Sequence, residues 1–152
     1  VGLIASSEAK RLRAHGIDVS TQIKEAQWFL NDVIDIRSSS FLELAATEYA
    51  IQGLELDYIG LCWGADVRRR GNEWGYHSLS GTLWQDKNDP TNESQIIARG
   101  FMKNTYRVLL SRARDGMIIW VPEGDANDPT RLPEFYSPTA EYLQQCGVQL
   151  ID

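Results

Sequence analysis

Cysteine and histidine are scarce in this chain of 152 residues, which has two of each. Cys62 lies in an apolar run and Cys146 lies near the C-terminus, so the pair can build neither a disulfide framework nor a cysteine-based zinc site. We expect one buried thiol and one surface thiol. His15 and His77 stand apart from other ligand types, and no metal site is predicted.

Long hydrophobic runs are also missing from the sequence. No run approaches the roughly 18 apolar residues of a membrane span, and no segment has the charged-then-apolar pattern of a targeting signal. Hydrophobic residues make up 43% of the chain, which is enough for a core and argues against disorder. We therefore predict one soluble, cytoplasmic domain over residues 1–152, without membrane contact. Because the first residue is Val1, we expect the chain to be part of a longer protein.

Positive charge is in deficit, since the formal net charge is −6. This argues against a free-standing nucleic-acid-binding protein, which usually carries a basic footprint. Against that trend, a local basic stripe of Arg99, Lys103, Arg107 and Arg114 is predicted on one side of a long helix. A solvated helix face and a nucleic-acid or interdomain contact both explain this stripe.

Strand and helix signals alternate along the chain, which predicts an α/β fold with a mostly parallel sheet. Apolar runs predict strands at residues 1–6, 42–47, 56–63, 117–121 and 148–151. Helical spacing and capping residues predict helices at 8–14, 21–30, 92–112 and 139–145.

Residues 64–92 interrupt this alternation with turn residues, tryptophans and three consecutive arginines, Arg68, Arg69 and Arg70. We predict an irregular insertion, with either a short hairpin at 74–84 or an ordered loop. The arginines and tryptophans suit nucleic-acid or partner binding, although core and turn roles are more common for tryptophan.

The long predicted helix carries an apolar stripe of Ile97, Phe101, Thr105, Val108 and Leu109 that ends at Arg112. An arginine that continues such a stripe is partly desolvated and needs an anionic partner. The partner is either an acidic side chain of the same domain or a phosphate, which the planar guanidinium suits well.

A short polar segment, 46–58, joins two apolar strands through a turn at Gly53. Ligand sites of parallel sheets collect at such strand ends. Gly53 allows close backbone approach, Thr47 offers a hydroxyl and Glu55 offers a carboxylate. A plain connection with solvated carboxylates explains the segment equally well.

The two segments together resemble motifs V and VI of superfamily 1 helicases, and most of all the Schlafen-like DNA/RNA helicase group. The resemblance covers most of the chain and is specific from about Asp35 to Gly124. It rests on the Asp-Ile-Arg-Ser-Ser, Ala-Ala-Thr-Glu, Gln-Gly-Leu-Glu-Leu-Asp, Arg-Val-Leu-Leu-Ser-Arg-Ala-Arg and Val-Pro-Glu-Gly sequences that begin at residues 35, 45, 52, 107 and 121.

This resemblance implies a RecA-like three-layer α/β/α fold, the second of the two ATPase domains of such a helicase. Arg112 matches the motif VI arginine finger that reaches the γ-phosphate across the cleft between the domains. Gln52 and Gly53 match the motif V turn that lines the nucleotide cleft, and Glu55 matches the acidic residue that contacts the ribose.

The same resemblance implies contacts with DNA or RNA. Thr47 matches a residue placed near the nucleic-acid backbone, and Arg107 and Arg114 lie inside motif VI. The implied partners are therefore nucleic acid and an N-terminal RecA-like domain of the same protein.

Departures from the helicase pattern limit what this chain does by itself. No Gly-x4-Gly-Lys-Ser/Thr sequence and no Asp-Glu metal motif occur in the 152 residues. ATP with Mg²⁺ is therefore expected to bind mainly to the missing domain, and the chain alone is predicted not to hydrolyse ATP. Ser6-Ser7-Glu8 stands where related helicases carry a motif IV arginine, which Lys10 or Arg11 could replace. A non-catalytic binding module and an NTPase switch without unwinding activity are the alternatives.

Overall fold

The computed structural model describes residues 1–20 and 22–151 and divides into two compact units. The first unit comprises Val1–Gly64 and Lys103–Trp120, and the second comprises Ala65–Met102 and Val121–Asp152. No helix of the described chain is both long and apolar enough to cross a membrane.

Eight strands lie within the described residues. They are β1 (Gly2–Ala5), β2 (Asp18–Ser20), β3 (Leu44–Thr47), β4 (Leu56–Cys62), β5 (Val67–Arg70), β6 (Glu73–Ser80), β7 (Leu83–Asp86) and β8 (Ala113–Trp120). The α-helices are α1 (Glu25–Leu30), α2 (Glu93–Leu109) and α3 (Ser137–Gln145), and 3-10 helices span Lys10–His15, Ser39–Phe41 and Pro133–Phe135.

The first unit contains a five-stranded sheet in the order β2-β3-β1-β4-β8. Every pairing in it is parallel. Most residues of its central strands β1, β3 and β4 are apolar and buried, as their apolar runs predict, whereas Asp57 and Tyr58 near the start of β4 are exposed. The predicted α/β fold with a mostly parallel sheet is confirmed, and the arrangement is compatible with a RecA-like three-layer fold.

Successive side chains of a strand point to opposite faces of the sheet, and both faces are covered. On one face, Ala5 and Cys62 pack with Leu12 of the first 3-10 helix in a buried cluster. On the other, Gly2 lies so close to the indole of Trp28 in α1 that a Cβ at Gly2 would stand 2.9 Å from it. Burial raises the pKa of Cys62 to about 11. Cys146 is exposed, so the expected pair of thiols is confirmed.

The helix predicted at 92–112 ends earlier, at Leu109, and the strand predicted at 117–121 begins earlier, at Ala113. The Ser111 hydroxyl and N–H both donate to the Val108 carbonyl, which tightens and ends the last turn. Arg112 therefore lies between α2 and β8, and Arg114 lies on β8. The prediction that both continue the faces of one helix is wrong.

The buried face of α2 agrees with the predicted stripe only in part. Leu109, which the stripe included, is completely buried, whereas Ile97 and Phe101 are exposed and Met102 and Tyr106 are buried in their place. The start of the stripe was predicted on the wrong face because the apolar side chains of this helix occupy both faces.

The second unit contains an antiparallel sheet in the order β5-β6-β7, within the region predicted to be an irregular insertion. Arg68 is buried, with its guanidinium 3.6 Å from the ring centroid of Phe135 and 4.5 Å from that of Trp84. On the opposite face of the sheet, Arg69 lies 4.2 Å from the ring centroid of Tyr142 in α3. Arg70 pairs with Asp86 at 3.3 Å.

These contacts show that the three arginines do not form a free basic patch. Two of them are stacked on aromatic rings inside the unit, and the third is ion-paired.

Three further boundaries differ from prediction. The helix predicted at 8–14 is the 3-10 helix Lys10–His15, and the helix predicted at 21–30 is reduced to α1, with Thr21 outside the described residues. Residues 148–151 are described and do not form the predicted strand.

Candidate functional site

The amino ends of β4 and β8 bring the motif V-like and motif VI-like segments together. Leu56 pairs with Ala113, and the Leu56 N–H donates to the Arg112 carbonyl at 3.1 Å. Glu55 and Arg112 each stand one residue before these paired positions. Two segments separated by more than 50 residues in the sequence are thus adjacent at one edge of the sheet.

The turn before β4 presents the other predicted residues of this edge. The Leu54 N–H closes it by donating to the Ile51 carbonyl at 3.1 Å, and Gly53 adopts a φ of 78°. This left-handed conformation favours glycine, as the sequence predicted from the turn. Gln52, Gly53 and Glu55 are all exposed, so this turn offers an amide, bare backbone and a carboxylate to a ligand.

Arg112 itself is half-buried. Its Nε is buried and has no hydrogen-bond partner within residues 1–20 and 22–151. Its guanidinium also forms no ion pair with a carboxylate of the described chain. A desolvated cationic donor without an internal acceptor has the chemistry to receive an anion from outside.

Arg107 and Arg114 are exposed on different elements of the first unit. Arg107 lies on α2, where it donates to the Asn104 side chain at 3.4 Å. Arg114 lies on β8 and pairs with Asp57 of β4 at 3.5 Å, with both side chains about 60% exposed. Arg107 is therefore the less neutralised of the two.

Thr47 lies at the carboxyl end of β3, on the sheet edge opposite Arg112. Its side chain is completely buried, and its Oγ1 finds no hydrogen-bond partner in the described part of the chain. The structure thus separates Thr47 from the other predicted residues. In this conformation the hydroxyl has no surface to offer a nucleic-acid backbone.

Glu48, beside Thr47, is a polar residue that sequence reasoning missed. Its buried carboxylate accepts hydrogen bonds from the Ser7 N–H at 2.9 Å and the Ser7 hydroxyl at 2.6 Å, and it lies 3.4 Å from the Thr105 hydroxyl. The only sequence signal was an acidic residue directly after a buried strand. Its partners lie 41 and 57 residues away, beyond any local pattern.

The residues that could replace a motif IV arginine follow Ser7 on the first 3-10 helix. Lys10 pairs with Glu8 at 3.6 Å and is exposed, whereas Arg11 is half-buried. Both therefore lie next to the carboxyl end of β1, away from the edge that holds Arg112.

The segment 35–39, which carries part of the resemblance, is a loop braced by its own polar groups. Arg37 donates to both carboxylate oxygens of Asp35, at 3.0 and 2.7 Å, and Asn31 donates to the same carboxylate at 2.8 Å. Hydrogen bonding from Arg37 holds the pKa of the Asp35 carboxyl well below its ordinary value. This pair fixes the loop and leaves neither charge free for a ligand.

Comparison with known proteins identifies the family to which the chain belongs. The family model described as Schlafen group 3, DNA/RNA helicase domain matches residues 1–123, which include both the turn before β4 and Arg112. No curated protein and no solved structure matches the chain significantly. Since the family model covers well over half of the 152 residues, the chain belongs to the Schlafen group 3 DNA/RNA helicase domain family.

Proposed function

We propose that this chain is the second RecA-like half of an ATP-dependent DNA/RNA helicase or nucleic-acid translocase. It supplies the motif V turn and the motif VI arginine to an ATP site whose phosphate-binding loop lies on an N-terminal domain. The family membership supports a helicase-like function in general. The assignment of the half and of the shared ATP site is the proposal.

The observation that carries this proposal is the state of Arg112. Its half-buried guanidinium has no acidic partner in the described residues and stands beside an exposed turn containing Gln52, Gly53 and Glu55. An arginine that served only the core of this domain would be paired. The orphaned donor fits a phosphate delivered from another domain.

Each residue of this edge contacts a different part of the nucleotide in the proposed site. Arg112 donates to the γ-phosphate and stabilises the negative charge that develops as the phosphoryl group is transferred. Glu55 accepts from the ribose hydroxyls, while Gln52 and Gly53 line the cleft. ATP with Mg²⁺, bound mainly by the other domain, supplies the phosphoryl group and the metal charge.

Nucleic acid would be held by further groups of the first unit. Arg107 and Arg114 offer exposed guanidinium groups to phosphates. Thr47 is buried, so its contact with a nucleic-acid backbone requires the turn that follows it to move. Closure of the two domains on ATP and its release after hydrolysis would then drive movement along the strand.

Replacing Arg112 in the full-length protein tests the proposal. We expect Arg112→Ala to lower nucleic-acid-stimulated ATP hydrolysis by about 10³-fold or more, because an arginine finger acts mainly on the transition state. Binding of a fluorescent ATP analogue should change little. Arg112→Lys should recover only a small part, since a lysine cannot reproduce the planar fork.

Arg13→Ala is the matched control, since Arg13 is an exposed arginine of the same unit that pairs with Asp18. Unchanged turnover in Arg112→Ala would refute the arginine-finger role, and absence of any ATP hydrolysis in the full-length protein would favour a non-catalytic binding module. A strand-separation assay on the active protein then distinguishes a helicase from an NTPase switch.

A further inference from the structure

Glu48 joins three separate elements of the first unit at the carboxyl edge of the parallel sheet. It directly follows β3, and its carboxylate contacts both Ser7, in the turn after β1, and Thr105, on α2. The residue is only 8% exposed. A buried carboxylate in such a place is costly unless hydrogen bonds satisfy it.

The contacts of Glu48 are unequal. The two bonds from Ser7, at 2.9 and 2.6 Å, have the lengths of strong charge-assisted hydrogen bonds. The Thr105 hydroxyl stands at 3.4 Å, at the outer limit for an O–H···O bond. Glu48 is thus fixed to the turn after β1 and touches α2 loosely, so a small shift of the helix would make or break this contact.

Two connections lead from this edge to the edge that holds Arg112. One leads from Glu48 to Glu55 and enters β4, and the other leads from Thr105 to Arg112 and enters β8, a step of seven residues in each case. The Glu48–Thr105 contact joins them at one end, and the Leu56–Arg112 backbone bond joins them at the other. The position of α2 against Glu48 therefore bears on where Arg112 stands.

We infer that Glu48 is a positioning residue which, by binding the Thr105 hydroxyl, sets α2 so that Arg112 reaches the γ-phosphate. This inference rests on the proposed function. The loose contact shortens when the domains close on ATP, and Ser7 holds the carboxylate in place for it. Closure would then couple the turn after β1 to the arginine at the opposite edge.

The test uses Thr105 variants of the full-length protein, with ATP hydrolysis measured at saturating single-stranded nucleic acid. Thr105→Val keeps the side-chain shape and removes the hydroxyl, and we expect kcat to fall about tenfold, with KM for ATP unchanged within about twofold. Thr105→Ser restores the hydroxyl and should recover at least half of kcat. A merely structural role would not give this split and rescue.

Glu48→Gln and Thr105→Val, alone and combined, form a double-mutant cycle in which kcat is compared. Because Glu48→Gln removes the charge that strengthens this contact and Thr105→Val removes its donor, both act on one contact, so kcat of the double variant should be no lower than that of the worse single variant, whereas independent effects would multiply. Multiplied effects, an unchanged kcat in Thr105→Val or a failed rescue by Thr105→Ser would overturn the inference. Should Glu48→Gln fail to fold, comparison of Thr105→Val with Thr105→Ser still tests the inference.

Arg112→Ala, measured in the same assay, distinguishes failure of the positioning role from failure of the proposed function. If Arg112→Ala is inactive while Thr105→Val and Glu48→Gln turn over normally, only the positioning role fails. If Arg112→Ala turns over normally, the proposed function fails and the inference fails with it.

Discussion

His77 and Arg68 are two buried residues of the second unit that keep polar atoms without hydrogen-bond partners in the described chain, His77 Nδ1 and Arg68 Nη2. Burial, and then the nearby Arg68 guanidinium, lower the pKa of His77 to about 4. Asp86 lies 3.9 Å away, too far and too exposed to offset this. The imidazole is therefore neutral at pH 7, although its neighbours include charged groups of both signs.

This pKa makes the stability of the second unit depend on pH. The unfolded imidazole binds a proton near pH 6.5 and the folded one near pH 4, so the unfolded state holds more protons in between. Stability should fall as the pH drops from about 6.5 to about 4 and then level off. The full loss is roughly 3 kcal/mol, from about 1.4 kcal/mol for each pH unit.

His77→Phe should remove this contribution, as checked by urea unfolding between pH 4 and 7. Carboxylates contribute to acid unfolding of both proteins, so the difference between the two curves is the quantity to compare. Parallel curves over this pH range would show that His77 titrates normally in the folded protein.

At the residue scale, the sequence predicted the Arg112 edge better than the Glu48 cluster. The turn at 51–54 and Arg112 could be found because each sits in a local pattern, a glycine turn before an apolar strand and an arginine at the end of an apolar stripe. The stripe was right at Leu109 and misplaced at Ile97 and Phe101, and it led to the expectation that Arg112 is partly desolvated. Glu48 depends on Ser7 and Thr105, which only the folded sheet brings near.

At the element scale, strands buried on both faces were predictable, whereas elements that depend on long-range pairing were not. β1, β3 and β4 consist mainly of apolar residues and need no partner to be identified. β8 begins with Ala-Arg-Asp-Gly at 113–116, which contains no apolar run, and it becomes a strand there because Leu56 and Tyr58 of β4 pair with it. Alanine, aspartate and glycine are depleted in strands, so local propensity does not predict a strand at this point.

β5 illustrates the same limit in the second unit. A run of three arginines is atypical of a buried strand, and Arg68 is accommodated because its guanidinium packs against the rings of both Trp84 and Phe135. Its Nε donates to the Ala65 carbonyl at 2.5 Å. Burial lowers the pKa of Arg68 to about 10, which still leaves it charged at pH 7.

This packing predicts that a conservative substitution of Arg68 on β5 lowers the free energy of unfolding more than a substitution that removes the charge. Arg68→Lys should lower the free energy of unfolding by about 2 kcal/mol or more, because a compact, strongly hydrated ammonium is buried without a carboxylate and loses the flat stacking. Arg68→Met should cost less, since it keeps the length and removes the buried charge. Urea unfolding followed by tryptophan fluorescence measures both.

Arg69→Lys is the control from the same strand. Arg69 is half-exposed, so a lysine there keeps its ammonium in water and should cost less than about 1 kcal/mol. Equal losses from the two lysine substitutions, or a greater loss from Arg68→Met than from Arg68→Lys, would contradict the stacked, unpaired state of Arg68.

At the scale of the whole molecule, the net charge of −6 opposes binding to a polyanion. Helicase-like activity then requires local cations that are not already neutralised. The arginines at 68–70 are used within the second unit, Arg13 pairs with Asp18 at 2.6 Å, and Arg114 pairs with Asp57. Arg107 is the exposed arginine near Arg112 that has only a neutral partner, Asn104.

Arg107 should therefore account for a measurable share of the salt dependence of nucleic-acid binding. In the full-length protein, Arg107→Gln should weaken binding of a labelled single strand several-fold and reduce the slope of log K against log salt by about one, the effect of losing one phosphate contact. Fluorescence anisotropy between 50 and 300 mM salt, about the range where such contacts dominate, gives both values. Arg13→Gln removes an equal charge that is already paired and should leave the slope unchanged. If the two variants have the same slope as the wild type, nucleic acid does not lie along α2 and the phosphate contacts belong to another part of the protein.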